Sequence, residues 1–382
     1  MNILVVCHYH YQGTSVPTAL FVHAQMQCYA QMGHRVRVVV PIAVGRQGED
    51  GKRFGPAVSK TTVDGIEHVF LRHISLSNFG NKGLNSRLAV SAAKRHYKAI
   101  TEDFVPDVVQ GHKLGVNTQI AMALGRKAGC PVVFSLHGET SCEEPFLSDP
   151  AQIARHAEGA DKVVCVSSAL KRNVQAHWNG DAAVILNGFS LEHVAPPAPK
   201  QGLVLNQTGY LVPGKRVNIT LQAFAALQKK HPEAMLDLVG DGVLRQELEQ
   251  QAQDLGVASS VTFHGYLPHP EAIAKMSEAR FFVMASKPEG FGIVYPEAMA
   301  SGCITIGTET EGIADLIVNG ENGFLVPADD PDAITRVIET CLQDPEGAEK
   351  IAQRGRQAAL SLTWEKNARC YADLFEGLIN KE

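Results

Sequence analysis

The stretch that decides the fold is Lys287-Pro-Glu-Gly-Phe-Gly-Ile-Val-Tyr-Pro-Glu-Ala-Met-Ala-Ser-Gly302. The apolar run 281–285 before it predicts a buried strand, and the residues after its glycines predict a short helix that Gly302 ends. A strand, a Gly-rich turn and a helix in this order turn free backbone amides toward a ligand, and such amides favour anions. Two ionised carboxylates, Glu289 and Glu297, would repel a bare phosphate, but they accept hydrogen bonds from hydroxyl groups. The pattern therefore predicts a ligand that carries both phosphates and hydroxyls, as a nucleotide sugar does.

Length and composition narrow the class of protein. A chain of 382 residues is long for one core and predicts two domains. Its net charge of −5 argues against a general nucleic-acid binder. The eight cysteines contain no C-x-x-C pair, which indicates neither a zinc site nor a disulfide framework, and reduced thiols are usual in the cytosol. No signal-peptide pattern and no apolar run of about 20 residues occurs, so we expect a cytoplasmic protein whose membrane contact is at most peripheral.

Strands and helices alternate along the chain in a pattern that restarts once. Continuous apolar runs predict parallel strands at 2–6, 35–40, 63–71, 108–111, 132–136, 162–166 and 183–186. The run Pro196-Pro-Ala-Pro-Lys200 predicts a linker, because prolines interrupt helices and central strands. The alternation then resumes with predicted strands at 203–210, 235–239, 261–264, 281–285 and 305–307. We therefore expect an α/β fold of two Rossmann-like domains facing across a cleft, with the ligand beyond the carboxyl ends of the strands.

The spacing of Glu289 and Glu297 resembles the E-x7-E signature of retaining GT-B glycosyltransferases, in particular the GT4-like family (glycosyltransferase group 1). The resemblance covers nearly the whole C-terminal half, where 209–216 resembles the family's phosphate loop, 239–242 its G-D/E-G turn and 263–266 its F-x-G turn. In the N-terminal half, 135–139 resembles the segment that carries the family's cleft histidine, and 187–190 the segment ahead of the hinge. The resemblance implies the GT-B fold, with domains at 1–195 and 203–362, a linker at 196–202 and a last helix at 363–382 that packs back on the N-terminal domain.

The resemblance also implies roles for individual residues. Lys215 would neutralise charge on the leaving diphosphate, Glu289 would hold hydroxyls of the transferred sugar, and His137 would orient that sugar. Glu297 would hold the ribose hydroxyls of the donor. The remaining donor-binding residues implied are Gly13, Tyr210, Arg216, Tyr266, Gly290, Phe291, Gly292 and Ile293. Tyr210 stands where the family has an arginine, and Arg216 where it has a glycine, so Arg216 is a candidate to replace the absent charge.

The implied reaction is a retaining, metal-independent transfer of a hexosyl group from a UDP- or GDP-sugar to an acceptor hydroxyl, without a cofactor. The implied acceptor is a glycan, a lipid-linked glycan or a small molecule in cell-surface polysaccharide synthesis. His8 and His10 alternate after the first strand, but no carboxylate lies near them in sequence, so no metal site is predicted. Basic residues within 78–102 predict a solvated helix face. The alternative is a surface that meets anionic lipid headgroups at the inner face of a membrane.

Other classes of protein stay open. A nucleotide-sugar epimerase of the same fold would need no acceptor. A non-catalytic sugar-nucleotide-binding module would bind a donor without turnover, and the tyrosine at position 210 favours this alternative. An NAD-linked oxidoreductase is disfavoured, because Arg245 stands where a dinucleotide fingerprint would have its third glycine. Residues 209–215 match the start of a P-loop, but Arg216 offers no hydroxyl for Mg²⁺.

Overall fold

The structure, a computed structural model, describes residues 1–8, 20–44, 54–75, 82–138, 157–194, 200 and 202–381. The chain forms two compact units. Unit 1 comprises Met1–Gly188 and Trp364–Glu382, and unit 2 comprises Phe189–Thr363. The division falls before the predicted linker, most of which lies outside the described residues.

Unit 1 is built on an eight-stranded sheet. Its strands are β1 (Asn2–Val6), β2 (Arg35–Ala43), β3 (Val58–Val63), β4 (Ile66–His73), β5 (Val108–His112), β6 (Val132–Leu136), β7 (Lys162–Cys165) and β8 (Ala182–Val184). Its sheet order is β3-β4-β2-β1-β5-β6-β7-β8. Within the described residues, the helices that precede the end of unit 1 are α1 (Leu20–Gln31), α2 (Lys82–Arg95), α3 (Tyr97–Thr101), α4 (Val116–Ala128) and α5 (Ser168–Gln175). Ile3, Leu4, Val5 and Val6 are fully buried, as expected for a parallel strand covered on both faces.

The prediction of one strand over 63–71 was wrong. Two strands, β3 and β4, form an antiparallel hairpin there, and Val63 pairs with Ile66. The turn consists of Asp64 and Gly65, whose φ angles are 49° and 78°. An Asp-Gly pair is a strong signal for a two-residue hairpin turn, because both positions need positive φ. The sequence therefore carried the information that separates the two strands.

Unit 2 is a six-stranded parallel sheet with helices. Its strands are β9 (Val204–Thr208), β10 (Met235–Val239), β11 (Val261–Gly265), β12 (Phe281–Val283), β13 (Ile304–Thr308) and β14 (Phe324–Val326). The sheet order is β11-β10-β9-β12-β13-β14. The helices are α6 (Val217–Gln228), α7 (Arg245–Asp254), α8 (His269–Glu278), α9 (Val294–Ala300), α10 (Pro331–Gln343) and α11 (Pro345–Leu360). The buried apolar strands predicted a parallel sheet, and all neighbouring strands of unit 2 pair in parallel, without an antiparallel pair like β3 and β4 of unit 1.

The last helix, α12 (Trp364–Ile379), belongs to unit 1 and packs on α1. Its Asn367 side chain accepts a hydrogen bond from Gln25 at 2.6 Å and donates to the Leu186 carbonyl at 2.7 Å. The rings of Phe375 and Tyr29 add an aromatic contact, with centroids 6.0 Å apart. In the part of the chain that the structure describes, no helix is both long and apolar enough to cross a membrane.

Each sheet has a switch point, where the chain has placed strands on one side of the first strand and then places later strands on its other side. In unit 1 the switch point lies between β1 and β5, and in unit 2 between β9 and β12. Ligands of open α/β sheets bind beyond the carboxyl ends of the strands at such a point. The topology therefore directs attention to the segments that follow β9 and β12, and to those that follow β1 and β5.

Candidate active site

Two loops of unit 2 meet at its switch point. The loop after β9 contains a single 3-10 turn, Pro213–Lys215, and the loop after β12 runs from Met284 to Ile293. The backbone amide of Lys287 donates to the Gly214 carbonyl at 2.7 Å and ties the two loops together. The side-chain amide of Gln207, in β9, donates to the Lys215 carbonyl at 2.7 Å. The phosphate loop and the first glutamate of the E-x7-E pattern are thus neighbours.

Lys215 and Glu289 form an ion pair across these loops. The ammonium of Lys215 donates to Oε2 of Glu289. The exposed fractions of the side chains are 15% for Lys215 and 2% for Glu289. Since an isolated charge is costly to bury, each group stabilises the burial of the other. A ligand that offers a phosphate to the lysine and a hydroxyl to the carboxylate can replace both halves of this pair at once.

The backbone after Glu289 is held by a buried tyrosine. The hydroxyl of Tyr295 donates to the Met284 carbonyl at 2.7 Å. Oγ of Ser286 lies 2.8 Å from the Tyr295 hydroxyl oxygen. Burial is the main cause that raises the pKa of Tyr295, so the phenol stays protonated. Gly292 has a φ of 74°, and a Cβ there would lie 2.7 Å from the Tyr295 ring. Phe291 is 1% exposed and lies in the interior of unit 2.

The backbone around Gly290 is equally confined. A Cβ on Gly312 would lie 1.9 Å from the Gly290 carbonyl oxygen, so the two segments are in direct contact. The amide of Gly312 donates to the Glu289 carbonyl at 3.3 Å, and the amide of Glu289 donates to Glu311 at 2.8 Å. Ile293 immediately precedes α9 and lies at its N-cap. The loop that carries Glu289 is therefore fixed on both sides by a neighbouring segment of unit 2.

The second glutamate of the pattern has a partner that the sequence analysis missed. Oε1 of Glu297 lies 2.8 Å from Nε2 of His269, the first residue of α8. This hydrogen bond is the main cause that raises the pKa of His269. The Glu297 side chain is 13% exposed, so its carboxylate has limited access to water. One of its oxygens, Oε1, is engaged by His269. No short motif links positions 269 and 297, which only the packing of α8 against α9 brings together.

Tyr210, Val243 and Tyr266 are exposed at the same edge of the unit 2 sheet, by 54%, 84% and 61%. They follow β9, β10 and β11, which are adjacent strands. Exposed apolar side chains grouped beside a polar loop are typical of a ligand-contacting surface. Val243 was not among the predicted residues, although its place directly after the G-D/E-G turn could have indicated it.

Arg216 lies beside Lys215 but is directed to another partner. Its φ of 51° places it in the left-handed region at the start of α6. Its Nε lies 3.6 Å from Oδ1 of Asp329. Arg216 thus faces Asp329 in this structure, and its replacement of the charge absent at Tyr210 stays a prediction.

In unit 1, His137 directly follows β6 and is packed between two rings. The Phe21 ring lies 4.5 Å from its centroid, and the His112 ring lies beside it and nearly coplanar with it, with the centroids 5.2 Å apart. Burial is the main cause that lowers the pKa of His137 well below its ordinary value, so the ring is neutral at pH 7. Its second neighbour, His112, was not predicted. Gly13, His10 and Glu139 lie outside the described residues.

Two family models match the chain. Residues 18–193 match Glycosyltransferase Family 4, and residues 190–358 match Glycosyl transferases group 1. Among related proteins, a GDP-mannose-dependent alpha-(1-6)-phosphatidylinositol monomannoside mannosyltransferase of Mycolicibacterium smegmatis is 28% identical over 276 residues, which are 66% of this chain and 72% of the relative. A D-inositol 3-phosphate glycosyltransferase of Streptomyces avermitilis is 25% identical over 378 residues, 87% of this chain and 79% of the relative.

Solved structures show the same fold. Sucrose-phosphate synthase from Thermosynechococcus elongatus superimposes with a TM-score of 0.76 at 19% identity, over 100% of this chain and 99% of the other. HepE of Anabaena, in complex with UDP and glucose, superimposes with a TM-score of 0.72 at 21% identity, over 99% of this chain and 100% of the other. These neighbours have the GT-B fold, which confirms the predicted fold class. With the two family models spanning residues 18–358, the chain belongs to the GT4-like family of group 1 glycosyltransferases.

Proposed function

We propose that this protein is a retaining, metal-independent hexosyltransferase that moves a hexosyl group from a UDP- or GDP-sugar to an acceptor hydroxyl. The observation that carries the proposal is the buried pair of Lys215 and Glu289 at the switch point of unit 2. A cation and a carboxylate in contact fit a ligand in which a phosphate and a hydroxyl are close together. The sugar and the diphosphate of a nucleotide sugar satisfy that condition.

On donor binding, Lys215 turns from Glu289 to the diphosphate. Its ammonium, with the backbone amides at Gly292 and Ile293, offsets the negative charge that grows as the bond from the sugar to the phosphate breaks. This positive charge comes from the protein, so the proposed reaction uses no metal ion. Tyr210 supplies no second cation, and we therefore expect Lys215 to bear most of the electrostatic stabilisation.

Glu289, released from Lys215, accepts hydrogen bonds from hydroxyls of the transferred sugar. Glu297 accepts from the ribose hydroxyls through the oxygen that His269 does not engage. The exposed rings of Tyr210 and Tyr266 offer apolar surface to the base. The proposal includes both UDP- and GDP-sugars as donors, because HepE is in complex with UDP while the mannosyltransferase relative is named as GDP-mannose-dependent.

The transfer itself exchanges one bond at the anomeric carbon for another. The bond to the phosphate oxygen breaks, the bond to the acceptor oxygen forms on the same face, and the acceptor's proton moves to the leaving phosphate. This route needs no enzyme nucleophile, in keeping with Glu289 as a hydrogen-bond acceptor. His137, neutral in unit 1, is proposed to orient the transferred sugar.

The acceptor is proposed to be a glycan, a glycolipid or a small molecule in cell-surface polysaccharide synthesis, met in the cytoplasm or at the inner face of the membrane. Four cations of the basic segment, Arg87, Lys94, Arg95 and Lys98, are exposed. Contact with anionic lipid stays a prediction, which sedimentation with vesicles containing or lacking phosphatidylserine tests. Equal sedimentation with both vesicles would contradict it.

A nucleotide-release assay tests the proposed function. The wild type is incubated with a panel of UDP-, GDP- and ADP-sugars without acceptor, beside Lys215→Ala and a matched control, Lys230→Ala. Lys230 is an exposed lysine of unit 2 that pairs with Glu339 at 2.6 Å. We expect slow release from one donor, lowered about 100- to 1,000-fold in Lys215→Ala and unchanged in Lys230→Ala.

Three other outcomes would contradict the proposal. Conversion of the donor into a second nucleotide sugar, seen by chromatography, would indicate an epimerase. Binding without release, with or without acceptors, would indicate a non-catalytic module. Equal release by wild type and Lys215→Ala would remove the lysine from the mechanism.

A further inference from the structure

A pair of hydrogen-bonded histidines lies at the carboxyl ends of two adjacent strands of unit 1. His112 is the last residue of β5, and His137 directly follows β6. Nδ1 of His112 lies 2.9 Å from Nε2 of His137, and the ring planes differ by only 11°. Since β5 borders the switch point of unit 1, the pair occupies the edge at which α/β sheets bind ligands.

Both rings are neutral at pH 7. Burial is the main cause that lowers the pKa of His112 to about 3. Burial, followed by the charges of His112 and Lys113, lowers the pKa of His137. Two neutral imidazoles within hydrogen-bonding distance share one hydrogen, which one ring donates and the other accepts.

The shared hydrogen couples the tautomers of the two rings. When Nδ1 of His112 donates, Nε2 of His137 is bare, and the single hydrogen of His137 lies on Nδ1. When Nε2 of His137 donates, Nδ1 of His112 is bare, and the hydrogen of His112 lies on Nε2. Both rings therefore always carry their hydrogens on the same type of nitrogen. The two outer nitrogens, Nε2 of His112 and Nδ1 of His137, are always one donor and one acceptor.

Both outer nitrogens are buried, and neither has a hydrogen-bond partner among the residues that the structure describes. Asn117, whose side chain donates to the His112 carbonyl at 3.0 Å, also leaves its own amide oxygen buried and unpartnered. Buried polar atoms in proteins are nearly always hydrogen-bonded. Unpartnered donors and acceptors around one strand end therefore suit a ligand whose groups both donate and accept, and the hydroxyls of a sugar do so.

We infer that His112 is the positioning residue of His137 and that the two rings form a tautomer relay. His112 gives a hydrogen to Nε2 of His137 or takes one from it. Nδ1 of His137 can then accept from one ligand hydroxyl or donate to another without any change in charge. The change of tautomer balances when hydroxyls of the ligand, hydrogen-bonded to one another, take the hydrogen from one outer nitrogen and give one to the other, so that as many N–H and O–H bonds form as break. The inference rests on the proposed role of His137 at the transferred sugar.

The tautomers are measured from the ring ¹⁵N chemical shifts in long-range ¹H–¹⁵N spectra of the full chain. His112→Asn and His137→Asn assign the signals. At neutral pH we expect two uncharged rings with the same tautomer. Different tautomers in the two rings, or a charged ring, would overturn the relay.

Two substitutions of His112 separate positioning from packing. His112→Phe keeps an aromatic ring beside His137 but removes the hydrogen-bonding nitrogen, whereas His112→Asn places an amide group near the position of Nδ1. We expect His112→Phe to change the tautomer of His137 and to lower kcat roughly 10- to 100-fold with a smaller change in KM, as when the orienting partner of a functional histidine is lost. His112→Asn should retain most of the wild-type kcat.

The matched control is His68→Phe, because His68 is another buried histidine of unit 1, with Nδ1 3.0 Å from the Ile66 carbonyl. It should leave the spectrum of His137 unchanged. An unchanged His137 tautomer in His112→Phe would overturn the inference. The tautomer measurement and the nucleotide-release assay can fail separately. If the two rings of the wild type have the same tautomer but no donor gives nucleotide release, the relay is supported and the proposed function is refuted.

Discussion

Arg37 in unit 1 and Lys215 in unit 2 are both buried cations, but their donors are used to different extents. The Arg37 side chain is 1% exposed and donates to Glu67, to the Ile100 carbonyl and to Asp103, each at 2.7 Å. In the part of the chain described by the structure, the ammonium of Lys215 is paired with Glu289 alone. Each nitrogen of the Arg37 guanidinium has a partner within the protein. The Lys215 ammonium keeps donors that the described residues do not use, and we propose that a ligand uses them.

The positions of the two cations in their sheets agree with this difference. Arg37 lies near the start of β2, at the edge opposite the carboxyl ends of the parallel strands, while Lys215 follows the carboxyl end of β9. Ligands bind at the carboxyl edge, so a buried charge at the other edge has to be satisfied by the protein itself. The comparison suggests that Arg37 serves stability and Lys215 serves binding.

The largest expected effect on stability comes from Arg37→Met. It removes the hydrogen bonds of Arg37 and leaves the Ile100 carbonyl without this donor, so it should lower the free energy of unfolding by about 2 kcal/mol. The loss is no larger because the Glu67 and Asp103 side chains, 29% and 63% exposed, remain hydrated. Urea unfolding followed by tryptophan fluorescence measures it, since Trp178 and Trp364 both belong to unit 1. Lys215→Ala, a change in unit 2, should leave this unit 1 transition unchanged. A loss below about 1 kcal/mol in Arg37→Met would mean that the comparison is wrong.

A smaller effect is expected from Gly292→Ala, and Gly320→Ala is its matched control. The two glycines have φ angles of 74° and 77°, so an alanine is strained by a similar amount at either position. Only at Gly292 does the added Cβ meet the Tyr295 ring, at 2.7 Å, whereas nothing lies within 4 Å at Gly320. We expect about tenfold slower nucleotide release in Gly292→Ala, because a shift of the loop misplaces Glu289. Equal rates in the two variants would show that the loop tolerates the contact.

The smallest expected effect concerns the pH dependence of the pair formed by His269 and Glu297. The pKa of His269 is raised in the folded state, so its protonated form stabilises unit 2 below the unfolded value of 6.5. This stabilisation is lost as the pH rises through the folded pKa. It should stay below about 1 kcal/mol, because the His269 side chain is 45% exposed. Hydrogen exchange of the α9 amides should lose protection with rising pH in the wild type but not in His269→Gln. The same loss of protection in wild type and His269→Gln would mean that another group causes the pH dependence.

Much of the architecture could be predicted from local pattern. Apolar runs of four to six residues, separated by glycines and helical patterns, predicted the alternation of strands and helices in both units, because strands of a parallel sheet are buried on both faces. The short strand β14 and the division of 63–71 into a hairpin were missed. The hairpin had a local signal in Asp64-Gly65, whereas β14 has only three residues and too short a pattern to identify.

The sequence by itself determined which residues can carry charge, which turns need glycine, and that Glu289, Glu297 and Lys215 belong to the motifs of one family. Only the tertiary structure decided their partners. Lys215 meets Glu289 across 74 positions, His269 meets Glu297 across 28, and His112 meets His137 across 25. The physical reason is that periodicity reports whether a side chain faces the core. The order and register of the strands, which depend on burial over the whole sheet, decide which side chains meet at its carboxyl edge.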